Sequence, residues 1–392
     1  MNNVNKPIIP AERVNTVTEY YFSVKLREIA AMNAAGADVV SLGIGGPDRP
    51  PRRAVIDTLA REATRSDVHG YQSYIGLPEL RGAYASWYKR YYGVTLNADN
   101  EILPLIGSKE GILHTTMAMV NPGDNVLVPN PGYPTYTSVS RLCGVEVRYY
   151  DLTEQGDWEP DFEQLADMVD ERTRLMWVNY PHMPTGRVAS PALFERLVEF
   201  ARAHGIVVVN DNPYSFILND KPLSLLAVDG AREVALEMNS LSKAHNMAGW
   251  RMGMIAGNRQ FISWILRVKS NVDSGQFRPM MLAAVEALNA DDAWYAELNA
   301  EYAARRVIAE RVLDALRCHY DPRQRGLFLW GRVPEGMTGD MLADKVLRDA
   351  RVFIVPGRIF GTNGERFVRL SLCATCDKLS EALDRCVTCF KA

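Results

Sequence analysis

Between residues 125 and 258 two kinds of apolar pattern take turns along the chain. NVLVP (125–129), VEVRYYD (145–151), LMWVNYP (175–181), IVVVND (206–211) and MGMIAGN (252–258) are short runs rich in valine, isoleucine or tyrosine. Segments of helical period separate several of them. SPALFERLVEFARAHG is one, with serine before proline at its start and glycine at its stop. Continuous apolar strands alternating with helices imply a mainly parallel sheet buried on both faces. Ligands of such sheets collect at the carboxyl ends of the strands, which is where chemistry is to be sought.

The 392 residues exceed one ordinary core and suit a large domain plus a smaller one. From about residue 282 a long helical pattern, AAVEALNADDAWYAELNAEYAARRVIAERVLDAL, runs on with an interruption near Asn289–Asp292. After Gly326 short strands (GLFLWGRV, VFIVPG, RFVRLSL) surround a helix, the pattern of an α+β subdomain that the N-terminal residues to about Gly45 join. The expected division is an arm and part of the small domain at 1–45, the large domain at 46–285 and the rest of the small domain at 286–392. A net charge of −3 gives no case for nucleic acid or an anionic membrane surface. No apolar run approaches the roughly 20 residues that span a bilayer. MNNVNKPIIPAERVN lacks the apolar core of a signal peptide. A cytoplasmic enzyme is expected.

Cys373, Cys376, Cys386 and Cys389 form two Cys-x-x-Cys pairs, a spacing that serves zinc in other proteins. Here the first pair follows FVRLSL and the second lies on the amphipathic stretch KLSEALDRCVTCF, so both pairs read as core-facing packing and no metal is expected.

The segment NSLSKAHNMAGWRMG (239–253) places Lys243 in a turn flanked by serines, with Arg251 eight residues on. A partly deprotonated lysine forms a Schiff base with a carbonyl cofactor, and arginine offers a fork of donors to a phosphate. A surface-loop lysine is the plain alternative. Asp211 ends IVVVND with Tyr214 three residues later. A carboxylate there pairs with a protonated ring nitrogen or simply caps a loop. IGSKEGI (106–112) opens a helix whose first N–H groups suit an anion, though the same turn serves as a plain cap.

Taken together, and in this order, these segments resemble the class I/II aminotransferases, pyridoxal-phosphate enzymes of fold type I, from about residue 20 to about 375. The resemblance implies a seven-stranded, mainly parallel sheet between helices, with pyridoxal 5'-phosphate on Lys243. It also implies a cofactor set: Asp211 at the ring nitrogen, Tyr214 at the ring hydroxyl, Tyr133 stacked on the ring, and a phosphate cup of Gly107, Ser108, Lys109, Ser240 and Arg251. Asn179 matches a further family position. Arg369, in FVRLSL, matches the arginine that clamps the substrate carboxylate, and Gly45, in LGIGGPD, matches a close backbone approach to it. Tyr71 matches a tyrosine that reaches a neighbouring subunit's cofactor phosphate, so a homodimer with shared sites is implied.

One departure is Met183, standing where the family has the asparagine of Asn-Pro-Thr-Gly. Methionine offers the ring hydroxyl no donor, and losing that bond raises the pKa expected of the imine on Lys243. The reaction implied is ping-pong amino transfer from an L-amino acid to a 2-oxo acid. The alternatives are a carbon–sulfur β-lyase or synthase on the same scaffold and, from another class, a non-catalytic sensor. The sensor is disfavoured by the presence of Lys243, Asp211 and Arg369.

Overall fold

The computed structural model describes residues 8–390. Its large sheet has seven strands: β2 (Ile102–Leu105), β3 (Asn125–Asn130), β4 (Glu146–Asp151), β5 (Thr173–Val178), β6 (Val207–Asp211), β7 (Ala235–Ser240) and β8 (Gly253–Gly257). An earlier strand, β1 (Val40–Ser41), belongs elsewhere. The order across the large sheet is β2-β8-β7-β6-β5-β3-β4. Every pairing is parallel except those of β8 with β7 and β2. All five apolar runs of the alternating pattern are strands of this sheet.

Successive residues of the central strands point into two different cores. Val126 and Val128 pack in one and Leu127 in the other; Leu175 and Trp177 oppose Met176 and Val178; Val209 opposes Val208. Both sheet faces are therefore dry, which is why these strands read as continuous apolar runs. The helix Pro191–His204 begins and stops as its sequence directs. Ser190 Oγ accepts the Leu193 N–H at 3.0 Å, and Gly205 takes the left-handed conformation, φ 64°.

A smaller antiparallel sheet contains β9 (His319–Tyr320), β10 (Phe328–Arg332), β12 (Val355–Pro356) and β13 (Phe367–Ser371), in the order β12-β13-β10-β9. The run VFIVPG, read as one strand, is split. β11 (Val352–Phe353) pairs in parallel with β1, while β12, one residue later, pairs with β13. Ile354 between them lets one apolar run serve two sheets. The helical pattern around 282 breaks as expected, into Arg278–Leu288 and the 24-residue Asp292–Ala315.

Cys373 and Cys386 are buried, but Cys376 is only half-buried and Cys389 is exposed. This corrects the core-facing assignment: Cys389 lies one turn past Cys386, the last buried residue of the helix Cys376–Phe390, at an end of the helix that the core does not cover. Among the described residues these sulfurs do not converge; the one group of potential metal ligands that does is Glu110, His114 and Asp273. No described helix is long and apolar enough to cross a membrane.

Behind the sheet lies a buried carboxylate, Glu237. It accepts from Ser224 Oγ (2.7 Å), Tyr88 OH (3.0 Å), Asn210 Nδ2 (2.9 Å) and the Leu225 N–H (2.9 Å). Burial pushes its pKa up and these four donors pull it down. Glu237→Ala strands all four donors without solvent, so the urea midpoint should fall by an amount equal to at least about 3 kcal/mol.

Candidate active site

A cavity of about 390 Å³ opens at the carboxyl ends of β5, β6 and β7, roofed by the N-terminal segment and the small sheet. Its lining includes Gly45, Ser108, Lys109, Tyr133, Asn179, Asp211, Tyr214, Ser240, Lys243, Arg251 and Arg369. Segments more than three hundred residues apart thus converge where the parallel-sheet rule directs.

Asp211 is the last residue of β6 and is buried. Its Oδ2 accepts from Tyr136 OH at 3.0 Å, and its Oδ1 has no partner within the chain. Burial pushes its pKa up to about 6, against the hydrogen bond from Tyr136 and the charge of Lys243. Lys243 lies in the turn after β7, with Nζ donating to the Gly45 carbonyl. Burial holds its amine below the usual lysine range. The positive charges of Arg369 and Arg251 push the same way, while Cys373 and Asp211 oppose.

Gly107 precedes the helix Ser108–Met119 with φ 76°, a region costly for any side chain. A Cβ built there would lie 2.1 Å from Arg251 Nη2, so any side chain would push that guanidinium from its place beside the helix N-terminus. Lys109 Nζ lies 4.5 Å from the centre of the Tyr20 ring. Ser240 Oγ donates to Ser242 Oγ at 2.8 Å. Tyr133 packs edge-on to Tyr136. Tyr214 is held with its phenol pKa well raised by burial.

Arg369 is buried at the far wall. Nη2 donates to the Gly43 carbonyl at 2.8 Å, Nη1 contacts Met183 Sδ at 3.2 Å, and Nε has no partner. Its guanidinium carbon lies 3.9, 4.6 and 5.3 Å from the ring centres of Phe328, Phe360 and Phe22. Burial draws its pKa down to about 10, leaving it charged at neutral pH. Gly45 admits no Cβ either, since one would meet the Phe328 ring at 2.2 Å.

Two assignments look different in three dimensions. Asn179 lines the cavity, but its amide donates to the Asp211 carbonyl and its Oδ1 accepts the Met183 N–H at 2.8 Å, so it braces two loops. Tyr71 is 94% exposed and lies outside the cavity lining of its own chain. Tyr136 was not among the expected site residues, although NPGYPTY sets it one helical turn after Tyr133. Phe22, Phe328 and Phe360 were not expected either, and carry no local signal.

The model of the family described as aminotransferase class I and II matches residues 37–385. This fold and site thus define a pyridoxal-phosphate-dependent transferase, and the chain belongs to that family. It is 40% identical over 378 residues to an LL-diaminopimelate aminotransferase of Oleidesulfovibrio alaskensis, covering 96% of this chain and 97% of that one. It is equally identical to one from Desulforudis audaxviator, over 97% of this chain and 98% of the other. Among solved structures it resembles apo-BacF of Bacillus subtilis, with a TM-score of 0.93, 33% identity and coverage of 98% and 99%. A mutant Thermus thermophilus aspartate aminotransferase superposes with a TM-score of 0.90 at 26% identity, covering 97% of this chain and all of that one. Between amino transfer and β-elimination, these relatives decide for transfer.

Asp211 also has a stability signature. Its pKa is higher in the folded chain (about 6) than in the unfolded one (near 3.8), so the folded state binds more protons between those values. Stability of the cofactor-free protein therefore falls as pH rises through this window, at a cost on the order of 3 kcal/mol above it. Asp211→Asn should stabilise the cofactor-free protein at pH 8, with the gain shrinking toward pH 4.5. Urea unfolding at the two pH values measures it, and an equal gain at both would contradict the assignment.

Proposed function

We propose that the cavity is the amino-transfer site, with Lys243 holding pyridoxal 5'-phosphate covalently through Nζ and moving the substrate's Cα proton. The observation that carries this is the meeting in one cavity of a buried lysine, a carboxylate oxygen without a partner and a buried arginine.

The residues fit the cofactor. Asp211 Oδ1 lacks a partner and would accept the ring N–H. Gly107, Ser108, Lys109, Ser240 and Arg251 would hold the phosphate at the N-terminus of a 12-residue helix, beside the cradle that a Gly107 Cβ would fill. Tyr133 would lie against the ring and Tyr214 would reach its hydroxyl, with Asn179 bracing the floor. When bound, the cofactor supplies the carbonyl that accepts the amino group and an electron sink for negative charge at Cα. Arg369 binds the α-carboxylate of the L-amino acid and later of the 2-oxo acid, near the Gly45 backbone, and so orients Cα toward Lys243. Lys243 Nζ, whose charge burial disfavours, takes the Cα proton and returns it in the reverse half-reaction. Met183 places a thioether against Arg369 where an amide would have offered a donor.

The amino donor proposed is LL-diaminopimelate, supported by the names of the 40% identical relatives. The Phe22, Phe328 and Phe360 rings around Arg369 favour a second reading, an aromatic donor. The exposed ring of Tyr71 supports a homodimer in which it completes a neighbour's phosphate site, and a cytoplasmic location accompanies this assignment. Active enzyme sedimenting with the mass of one chain would exclude the dimer.

Lys243→Ala should lose the visible absorbance of bound cofactor and at least about 10⁴-fold in turnover, by the scale of removing a general base together with a covalent anchor. Transamination at a normal rate in that variant would overturn the site. A panel of amino donors with 2-oxoglutarate should give LL-diaminopimelate the highest kcat/KM; a tenfold preference for phenylalanine or tyrosine would install the second reading.

A further inference from the structure

The helix Asp292–Ala315 contributes nothing to the cavity lining, yet it is hydrogen-bonded to four segments that carry site residues. Trp294 Nε1 donates to the carbonyl of Ala244, next to Lys243, at 2.8 Å. Arg305 reaches Asp48 Oδ1 and Oδ2 at 2.7 and 2.9 Å and the Leu372 carbonyl at 3.2 Å, behind Gly45 and Arg369. Between them Asn299 makes a two-point contact. Its Nδ2 donates to the Phe216 carbonyl at 2.9 Å and its Oδ1 accepts the Leu218 N–H at 2.7 Å. At about 100° per residue, Trp294, Asn299 and Arg305 fall within one side of the helix.

The Asn299 contact matters because of what it holds. Phe216 and Leu218 follow Tyr214 in the loop after β6, and Leu218 has φ 52°, a conformation that a branched side chain does not favour unaided. The Ile217 N–H returns to the Tyr214 carbonyl at 3.0 Å, so the loop closes a turn on the tyrosine itself. An amide that supplies one donor and one acceptor in plane is matched to a single arrangement of the Phe216 carbonyl and the Leu218 N–H. Removing it frees both groups and the turn that ends at Tyr214.

We infer that Asn299 is a positioning residue for the Tyr214 hydroxyl, acting through the Phe216–Leu218 turn from outside the cavity. The inference rests on the assignment of Tyr214 to the cofactor's ring hydroxyl. Losing a hydrogen bond to that charged oxygen raises the cofactor's protonation midpoint, which is read from its visible absorbance as a function of pH.

The test is a double-mutant cycle on the cofactor-loaded enzyme, with Tyr214→Phe, Asn299→Ala and the pair together. Tyr214→Phe should move the midpoint up by about one pH unit, and Asn299→Ala should move it the same way by roughly half as much, going on the usual size of one hydrogen bond to a charged group. In the Tyr214→Phe background Asn299→Ala should add nothing. Asn299→Asp keeps the acceptor for Leu218 but sets a carboxylate oxygen against the Phe216 carbonyl, so it should move the midpoint at least as far as Asn299→Ala; an unchanged circular dichroism spectrum guards against a folding defect in either variant. If Tyr214→Phe leaves the midpoint unmoved, the Tyr214 assignment fails and the inference falls with it. If Tyr214→Phe moves the midpoint but Asn299→Ala does not, or moves it equally in both backgrounds, only the positioning role is overturned.

Discussion

Asp211 sits at the end of β6 with one oxygen bonded to Tyr136 and the other bare, in a cavity whose other charged side chains are Lys109, Lys243, Arg251 and Arg369. A buried carboxylate left half satisfied costs the fold stability, and the basic groups around it, when charged, repel one another as well as attract it. Both penalties are relieved by a ligand that brings anionic oxygens to the cations and a positive N–H to the carboxylate. The central sheet makes this tolerable by fixing Asp211 from behind. Asn210 is tied to Glu237, and the Asp211 carbonyl to Asn179, so the backbone that carries the unpartnered oxygen is held in place.

Much of this was legible because parallel sheets write themselves plainly. Runs such as IVVVND are apolar at every position when both faces are dry, and their carboxyl ends then nominate Asp211 and, after β7, Lys243. The small sheet was less legible. VFIVPG has the composition of one strand, and nothing local announces that Phe353 and Val355 belong to different sheets. The amphipathic C-terminal stretch likewise did not reveal that Cys389 leaves the core, since it lies one turn beyond the buried Cys386, at the end of its helix.

Within the site the same divide holds. Residues at strand ends and helix starts carried a signal in their own neighbourhood. Met183 was visible as a departure, but the sequence pointed it at the cofactor ring, whereas the structure also puts its sulfur on Arg369. Phe328 and Phe360 meet that arginine only because β10 and β13 pair and the chain after β12 doubles back, contacts set by tertiary register. Tyr71, outside its own chain's cavity, is the case in which a single chain is too small a unit for the question.

The pairing of β1 with β11 joins residues about 310 positions apart, Val40 with Val352 and Ser41 with Phe353. During translation the first of these leaves the ribosome long before its partner exists. At 5–20 residues per second the interval is on the order of 15–60 s. The last strand of the large sheet ends at Gly257, so all of the floor is synthesised while Tyr20, Phe22 and Ile44 still lack the small sheet that completes the roof with them. The residues proposed for the cofactor all precede Gly257, whereas Arg369 lies on β13, so the wall proposed for the substrate carboxylate is the part of the cavity synthesised last.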